Sequence, residues 1–164
     1  MRHILPMVAG LLLLAACASS GPGPARPDPA RAQVTTQDVP STQAALETRL
    51  RELGFMLEPD SAPGMIRAGI LTGAPAEWFV CDKIRVEDSS GDSSRSRLVD
   101  PEDHKTLVQI RVTSLGTQTN VDMKTNYYGV YRDRFDNNLF DQNCVASGAL
   151  EQAVLAVITP SPPA

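Results

Sequence analysis

The fold is decided by the stretch Lys105-Thr-Leu-Val-Gln-Ile-Arg-Val-Thr-Ser-Leu115, in which apolar and polar residues alternate. The even positions are the apolar residues Val108, Ile110 and Val112. The odd positions between and after them are the polar residues Gln109, Arg111 and Thr113. Alternation with a period of two predicts a β-strand that buries one face and exposes the other. The stretch therefore predicts one strand of a sheet with a single buried face.

Residues 120–132 are predicted to pair back on this strand after a turn. One face would carry Val121, Met123, Tyr127 and Tyr131, and the hydrated face Asp122, Lys124 and Asn126. A sheet with one buried and one hydrated face is typical of antiparallel pairing. Shorter strands are predicted at 55–58, 65–72 and 77–86, and a polar loop at 88–97.

Amphipathic helices are predicted at both ends of this β-rich region. A leucine stripe (Leu46, Leu50 and Leu53) marks a helix at 41–53 that Ser41 or Thr42 would cap. A second stripe predicts a helix from residue 147 to about residue 158, and it consists of Leu150, Val154, Val157 and Ile158. The element order predicts an α+β fold, with a four- to five-stranded antiparallel sheet flanked by an N-terminal and a C-terminal helix.

The folded domain is predicted to span residues 41–158, with a disordered tail at 159–164. Residues 18–40 contain five prolines and almost no large apolar side chain. Such a composition cannot offset the entropy of folding, and proline favours an extended chain. We therefore expect these residues to form a spacer ahead of one domain.

The first residues have the organisation of an export signal. Arg2 and His3 precede an apolar run at 4–14, which is shorter than the roughly 20 residues of a membrane-spanning helix. The run ends in Leu14-Ala15-Ala16-Cys17, which resembles the lipobox of bacterial lipoproteins. The resemblance implies a signal peptide at 1–16, lipidation of Cys17 as the first mature residue, and a Pro-rich tether at 17–40. The alternative is a soluble secreted protein in which Cys17 is incidental.

The resemblance also implies a location. Ala18 stands where Gram-negative lipoproteins that stay in the inner membrane tend to have Asp. For a Gram-negative envelope, the protein is therefore expected on the periplasmic face of the outer membrane. Two or three acyl chains on one cysteine would hold it there in effect permanently.

A lipidated Cys17 would leave Cys81 and Cys144, and with two cysteines only one pairing exists. Disulfides persist in the compartment to which an exported chain is delivered. We therefore expect a disulfide between Cys81 and Cys144. The alternative is two unpaired thiols.

Composition and motifs disfavour several functional classes. A formal net charge of −4 lacks the basic footprint of a nucleic-acid-binding protein, so no nucleic-acid partner is expected.

His104 follows several carboxylates, but no other His follows Cys17, and a solvated loop is the favoured interpretation. Residues 88–92 lack the pattern of a calcium-binding loop. We expect no catalytic residue, no metal site and no cofactor.

The aromatic residues are concentrated near the end of the second long strand. They are Tyr127, Tyr128, Tyr131, Phe135 and Phe140, and Arg132 and Arg134 lie among them. Because Tyr and Arg are enriched in protein interfaces and Tyr128 has the parity of the polar residues, we take Tyr128, Arg132 and Arg134 as a candidate partner surface. The alternative is an aromatic core at the end of the sheet.

Three functions are compatible with these features. The first is a non-catalytic, membrane-anchored lipoprotein that binds or helps to assemble an envelope protein. The second is a carrier or sensor of a small or lipid ligand. The third is a hydrolase of envelope polymers, because a sequence does not reveal pairs of carboxylates that meet only in space.

Overall fold

The computed structural model describes residues 32–59, 61–86, 97–133 and 135–158. The lipobox with Cys17, the predicted tether up to residue 31, residues 87–96, Arg134 and the tail at 159–164 lie outside these residues. The elements are β1 (Ala32–Thr35), α1 (Val39–Glu52), β2 (Met56–Leu57), β3 (Met65–Ile70), a 3-10 turn (Ala76–Trp78), β4 (Phe79–Val80), β5 (Ile84–Val86), β6 (Arg97–Val99), β7 (Asp103–Leu115), β8 (Gln118–Arg132), β9 (Leu139–Asn143), β10 (Val145–Ala146) and α2 (Ala149–Leu155).

A long antiparallel hairpin of β7 and β8 organises the sheet, as the alternating pattern predicts. The two strands are paired from Asp103 opposite Val130 to Leu115 opposite Gln118. The strand order is β1-β8-β7-β3-β2, and β9 also pairs with β8, so this sheet has six strands. The α+β class and the antiparallel sheet are confirmed, whereas the predicted number of four or five strands is too low.

The core lies on one face of this sheet. The inward-facing strand residues include Ile66, Val108, Ile110, Val121 and Met123, and they pack in one cluster with Leu46 and Leu50 of α1 and Leu150 and Val154 of α2. The leucine stripe of α1 and the apolar residues that alternate along β7 and β8 thus belong to the same core. Both helices contribute to it through apolar side chains, as their spacing predicts.

Strand β1 corrects the predicted end of the tether. Its four residues pair with residues 119–122 of β8, and Thr35 is fully buried. Composition does not reveal this strand, because it forms by adding backbone hydrogen bonds to the edge of β8. Residues 32–40 therefore belong to the fold, and the domain begins before residue 41.

Helix α1 begins earlier than predicted. Its cap is Asp38, whose carboxylate accepts a hydrogen bond from the Ser41 backbone N–H at 2.7 Å. This hydrogen bond also lowers the pKa of Asp38. Pro40 lies in the first turn of the helix, where its missing N–H would have no helical partner anyway. Pro40 is therefore part of the helix start and not the end of a spacer.

The predicted strand at 77–86 is divided. Residues 76–78 form the 3-10 turn, β4 pairs with β10, and β5 pairs with β6 in a separate two-stranded sheet. At the centre of the divided segment, Phe79 is buried and Val80 is exposed. The chain thus changes its partner strand between β4 and β5.

The predicted disulfide between Cys81 and Cys144 is present, and its Cα atoms are 4.5 Å apart. Cys81 directly follows β4 and Cys144 directly precedes β10, so the bond lies at the end of this short antiparallel pair. Both cysteines are partly buried against the main core. The bond therefore links the two small strands to each other beside the main core.

Two further predictions are wrong in detail. Helix α2 ends at Leu155, and Val157, a predicted core residue, is 37% exposed, whereas Glu151 is buried with 1% exposure. His104 lies within β7 and not in a solvated loop, and its ring is 4.9 Å from that of Phe79. Both errors arise because packing against neighbouring elements overrides the local pattern.

Candidate protein-interaction surface

The outer face of the sheet, opposite the core, is largely polar. Its exposed residues on β7 and β8 include Arg111, Asp122, Lys124 and Asn126, which are the positions that alternate with buried residues. Several apolar side chains nevertheless reach solvent on this face, and three of them, Met56, Leu71 and Leu107, lie on or beside the neighbouring strands β2, β3 and β7. Neighbouring exposed apolar side chains can mark a site of protein interaction.

The apolar patch, as we name it, consists of Met56, Leu71 and Leu107. Met56 lies opposite Gly69, and Gly69 lies opposite Leu107, so Met56, Gly69 and Leu107 form one cross-strand row, and Leu71 follows the end of β3. A Cβ atom added to Gly69 would lie 3.0 Å from Leu107 Cδ2 and 3.9 Å from Leu71 Cδ2. The two leucines therefore meet above the bare glycine backbone.

The exposed fractions of the patch residues are 62% for Met56, 52% for Leu71 and 40% for Leu107. The sequence contains a signal of this patch that our interpretation missed. Leu107 has the parity of Gln109 and Arg111, so it is an apolar residue at a position predicted to face water. Leu71 likewise has the parity opposite to Ile66 and Ala68 in the predicted strand at 65–72, whereas Met56 lies in a segment too short to show a period.

An open cleft of about 400 Å³ adjoins the apolar patch at Leu71. Its walls come from the end of β3, the start of β7 and the strands β8 and β9, and they include Leu71, Asp103, Lys105, Val130, Leu139 and Asp141. Leu139 is 56% exposed. The cleft thus combines apolar side chains with three charged groups.

Asp103 is held in a defined orientation in the cleft. Its Oδ1 atom accepts hydrogen bonds from the backbone N–H groups of Gly73, at 2.8 Å, and His104, at 2.7 Å. These two bonds, of which that from Gly73 is the stronger influence, lower the pKa of Asp103. Asp103 is therefore ionised at neutral pH, and its Oδ2 atom has no hydrogen-bond partner among the described residues.

Lys105 and Asp141 form an ion pair across β8. The Lys105 Nζ atom lies 3.0 Å from each carboxylate oxygen of Asp141. Tyr128 lies between their strands, opposite Lys105 on one side and Asn143 on the other. Tyr128 is half-buried on the outer face, so its predicted parity is correct and it lies in the row beside the cleft.

Arg132 shares the outer face with Tyr128 and lies opposite Leu139. Its guanidinium donates hydrogen bonds to Glu102, at 2.9 Å, and to the side-chain oxygen of Asn137, at 3.0 Å. Tyr128 and Arg132 are thus both near the cleft, although Arg132 is already engaged by neighbouring side chains. Arg134, the third candidate of the sequence interpretation, lies outside the described residues.

The other aromatic residues mostly serve the core. Tyr127 packs in the main cluster, and Tyr131 stacks on Phe140 in a second cluster with Val86 and Val99. The Tyr131 hydroxyl donates to the Asp82 backbone oxygen at 2.6 Å. Phe135 alone in this group is substantially exposed.

A buried carboxylate joins α2 to the sheet. Glu151, in the first turn of α2, accepts hydrogen bonds on Oε1 from the hydroxyls of Thr125 and Tyr127, the latter at 3.0 Å. Its Oε2 atom has no partner among the described residues. Glu151 therefore has a structural role between helix and sheet, which the helical pattern of α2 did not reveal.

The cleft presents both charged groups and apolar side chains to a ligand. Backbone hydrogen bonds lower the pKa of Asp103, whereas a general acid requires a raised pKa. Within the described residues, no group of three or more His, Cys, Asp or Glu side chains is arranged to hold a metal ion. The geometry favours a binding surface.

Comparison with known proteins adds no assignment, because neither a protein family nor a curated protein matches the chain. In the part of the chain that the structure describes, no helix has the length and hydrophobicity needed to cross a membrane.

Proposed function

We propose that the protein is a lipid-anchored lipoprotein of the bacterial envelope that binds a partner protein through the outer face of its sheet. The observation that carries this proposal is the apolar patch of Met56, Leu71 and Leu107 beside the charged cleft. The proposed role is non-catalytic, and the proposed location is the periplasmic face of the outer membrane.

The apolar patch supports partner binding on energetic grounds. Burying a leucine side chain contributes about 1.5–3 kcal/mol relative to leaving it in water. The side chains of Leu71 and Leu107 both lie close to Gly69 on the outer face, and charged residues line the cleft beside Leu71. An apolar centre with a polar rim is the usual organisation of a protein interface. Tyr128, at the border of the cleft, would add an aromatic contact.

The lipobox supports the anchor, and the start of β1 at Ala32 limits the spacer behind it. With Cys17 in the lipid, residues 18–31 would connect the membrane to the domain. In an extended polyproline conformation of about 3.1 Å per residue, this spacer would reach about 40 Å. Such a spacer lets the outer sheet face meet a partner away from the lipid surface.

Photo-crosslinking in intact cells tests both parts of the proposal. A benzophenone amino acid is placed at position 107, in the patch, or at position 157, on the helical side, where the native side chains have similar exposure. We expect one envelope protein to crosslink from position 107 and not from position 157. In a Cys17→Ser background, we expect the protein to leave the membrane fraction.

Each part of this experiment has a contradicting result. Equal crosslinking from positions 107 and 157, or none from position 107, would refute the role of the patch. Unchanged membrane retention of Cys17→Ser would refute the lipid anchor.

A further inference from the structure

The cleft beside the apolar patch carries one negative charge that no cation at contact distance neutralises among the described residues. This charge restricts which ligands the cleft can bind. Lys105 is neutralised by Asp141, because its Nζ atom lies 3.0 Å from both carboxylate oxygens. Asp103 has no ion-pair partner at contact distance among the described residues, and backbone N–H groups occupy only its Oδ1 atom. The three charged groups therefore sum to one negative charge.

Asp103, which carries this negative charge, lies close to Leu71 of the apolar patch. Its Oδ1 atom binds the backbone N–H of Gly73, two residues after Leu71, and both Asp103 and Leu71 line the cleft. A ligand that covers Leu71 therefore lies close to an oriented carboxylate. Such a carboxylate forms its strongest hydrogen bonds with an ammonium or guanidinium group.

We propose that the cleft and the apolar patch together bind an extended segment of a partner protein in which apolar side chains alternate with Lys or Arg. This inference rests on the proposed function and narrows the class of partner. The apolar side chains cover Leu71 and Leu107, and the cation pairs with Asp103. Charge complementarity favours this occupant over an anionic lipid surface, which both the cleft and the chain, with its net charge of −4, would repel.

Defined peptides test the inference with the full-length lipidated protein in neutral detergent micelles. The probes are three end-blocked fluorescent peptides with the repeats Leu-Arg-Leu-Arg, Leu-Glu-Leu-Glu and Ser-Arg-Ser-Arg. Fluorescence anisotropy measures each dissociation constant. We expect the Leu/Arg peptide to bind at least about tenfold more tightly than the other two, since only it satisfies both the leucines and the carboxylate.

The decisive variant is Asp103→Asn, which keeps an oxygen for the N–H groups of Gly73 and His104 but removes the charge. Its expected affinity for the Leu/Arg peptide is at least about fivefold lower, and added salt should reduce the difference. The matched control is Asp122→Asn, since Asp122 is an exposed carboxylate on the same sheet face outside the cleft. Its affinity should stay within about twofold of the native value.

The outcomes separate this inference from the proposed function. No binding of the Leu/Arg peptide, equal binding of the Leu/Glu peptide, or an unaltered affinity in Asp103→Asn would overturn the cationic segment. The crosslinking experiment at position 107 would still test the proposed function, because it does not depend on the charge of the partner segment. Self-association in analytical ultracentrifugation that Leu98→Ser abolishes would also overturn the inference, because it would identify a second copy, with its exposed Leu98 beside Arg97, as the occupant.

Discussion

Replacing Cys81 and Cys144 together by Ala is expected to lower the free energy of unfolding by about 4 kcal/mol. The disulfide connects residues that are 63 positions apart, and a closed loop of that length removes about this much chain entropy from the unfolded state. For a domain of this size, the melting temperature should fall by about 15 °C. Thermal and urea denaturation followed by circular dichroism measure both quantities.

Reduction provides the matched control for this variant. A reductant should destabilise the native protein by a similar amount and leave the double-alanine variant unchanged, because Cys17 takes no part in the bond. A loss below about 1 kcal/mol would show that the loop is constrained by other contacts, and that the chain-entropy account of this bond is wrong.

Glu151→Ala is expected to cost about 3 kcal/mol of folding stability. The substitution removes the acceptor of the Thr125 and Tyr127 hydroxyls at a site with 1% exposure, and it leaves a cavity between α2 and the sheet. Urea denaturation of the variant measures the loss. Glu151→Gln keeps the Oε1 acceptor and the volume, so it should cost less than half as much.

An exposed glutamate serves as a second comparison. Glu52→Ala, at the end of α1, should change stability by less than about 0.5 kcal/mol, because Glu52 makes only a surface ion pair with Arg49. If Glu151→Ala and Glu151→Gln destabilised the protein equally, the hydrogen bonds to Oε1 would not be the source of the effect.

The long hairpin was predictable because its pattern is strong and long. Val108, Ile110 and Val112 alternate with Gln109, Arg111 and Thr113 in β7, and β8 repeats the alternation. Likewise, the leucine spacing of α1 identifies the face that enters the core. The disulfide was predictable only by combining the resemblance at Cys17 with the count of cysteines.

Other features depend on tertiary pairing that no local pattern records. Strand β1 has four residues and is stabilised by the edge of β8, and the pair β4–β10 joins segments far apart in sequence. Glu151 occupies a core position because Thr125 and Tyr127 supply hydroxyls there. In each case the partner that stabilises the residue is distant along the chain.

The candidate surface was predictable in part. The parity of Tyr128 correctly placed it on the outer face, and Arg132 lies on the same face. The apolar patch was missed because Met56, Leu71 and Leu107 belong to separate segments and share one face only when β2, β3 and β7 are in register. The orientation of Asp103 likewise depends on the backbone N–H of Gly73, on a different segment of the chain.

The most direct test of the account is the affinity of the crosslinked partner for the full-length protein with Leu71 and Leu107 both replaced by Ser. Because each leucine contributes about 1.5–3 kcal/mol when buried, the dissociation constant should rise at least about tenfold. Val157→Ser, a substitution of similar exposure on the helical side, should leave it within about twofold of the native value. An unchanged affinity in the double variant, or an equal loss in Val157→Ser, would contradict the proposal that the outer face of the sheet is the binding surface.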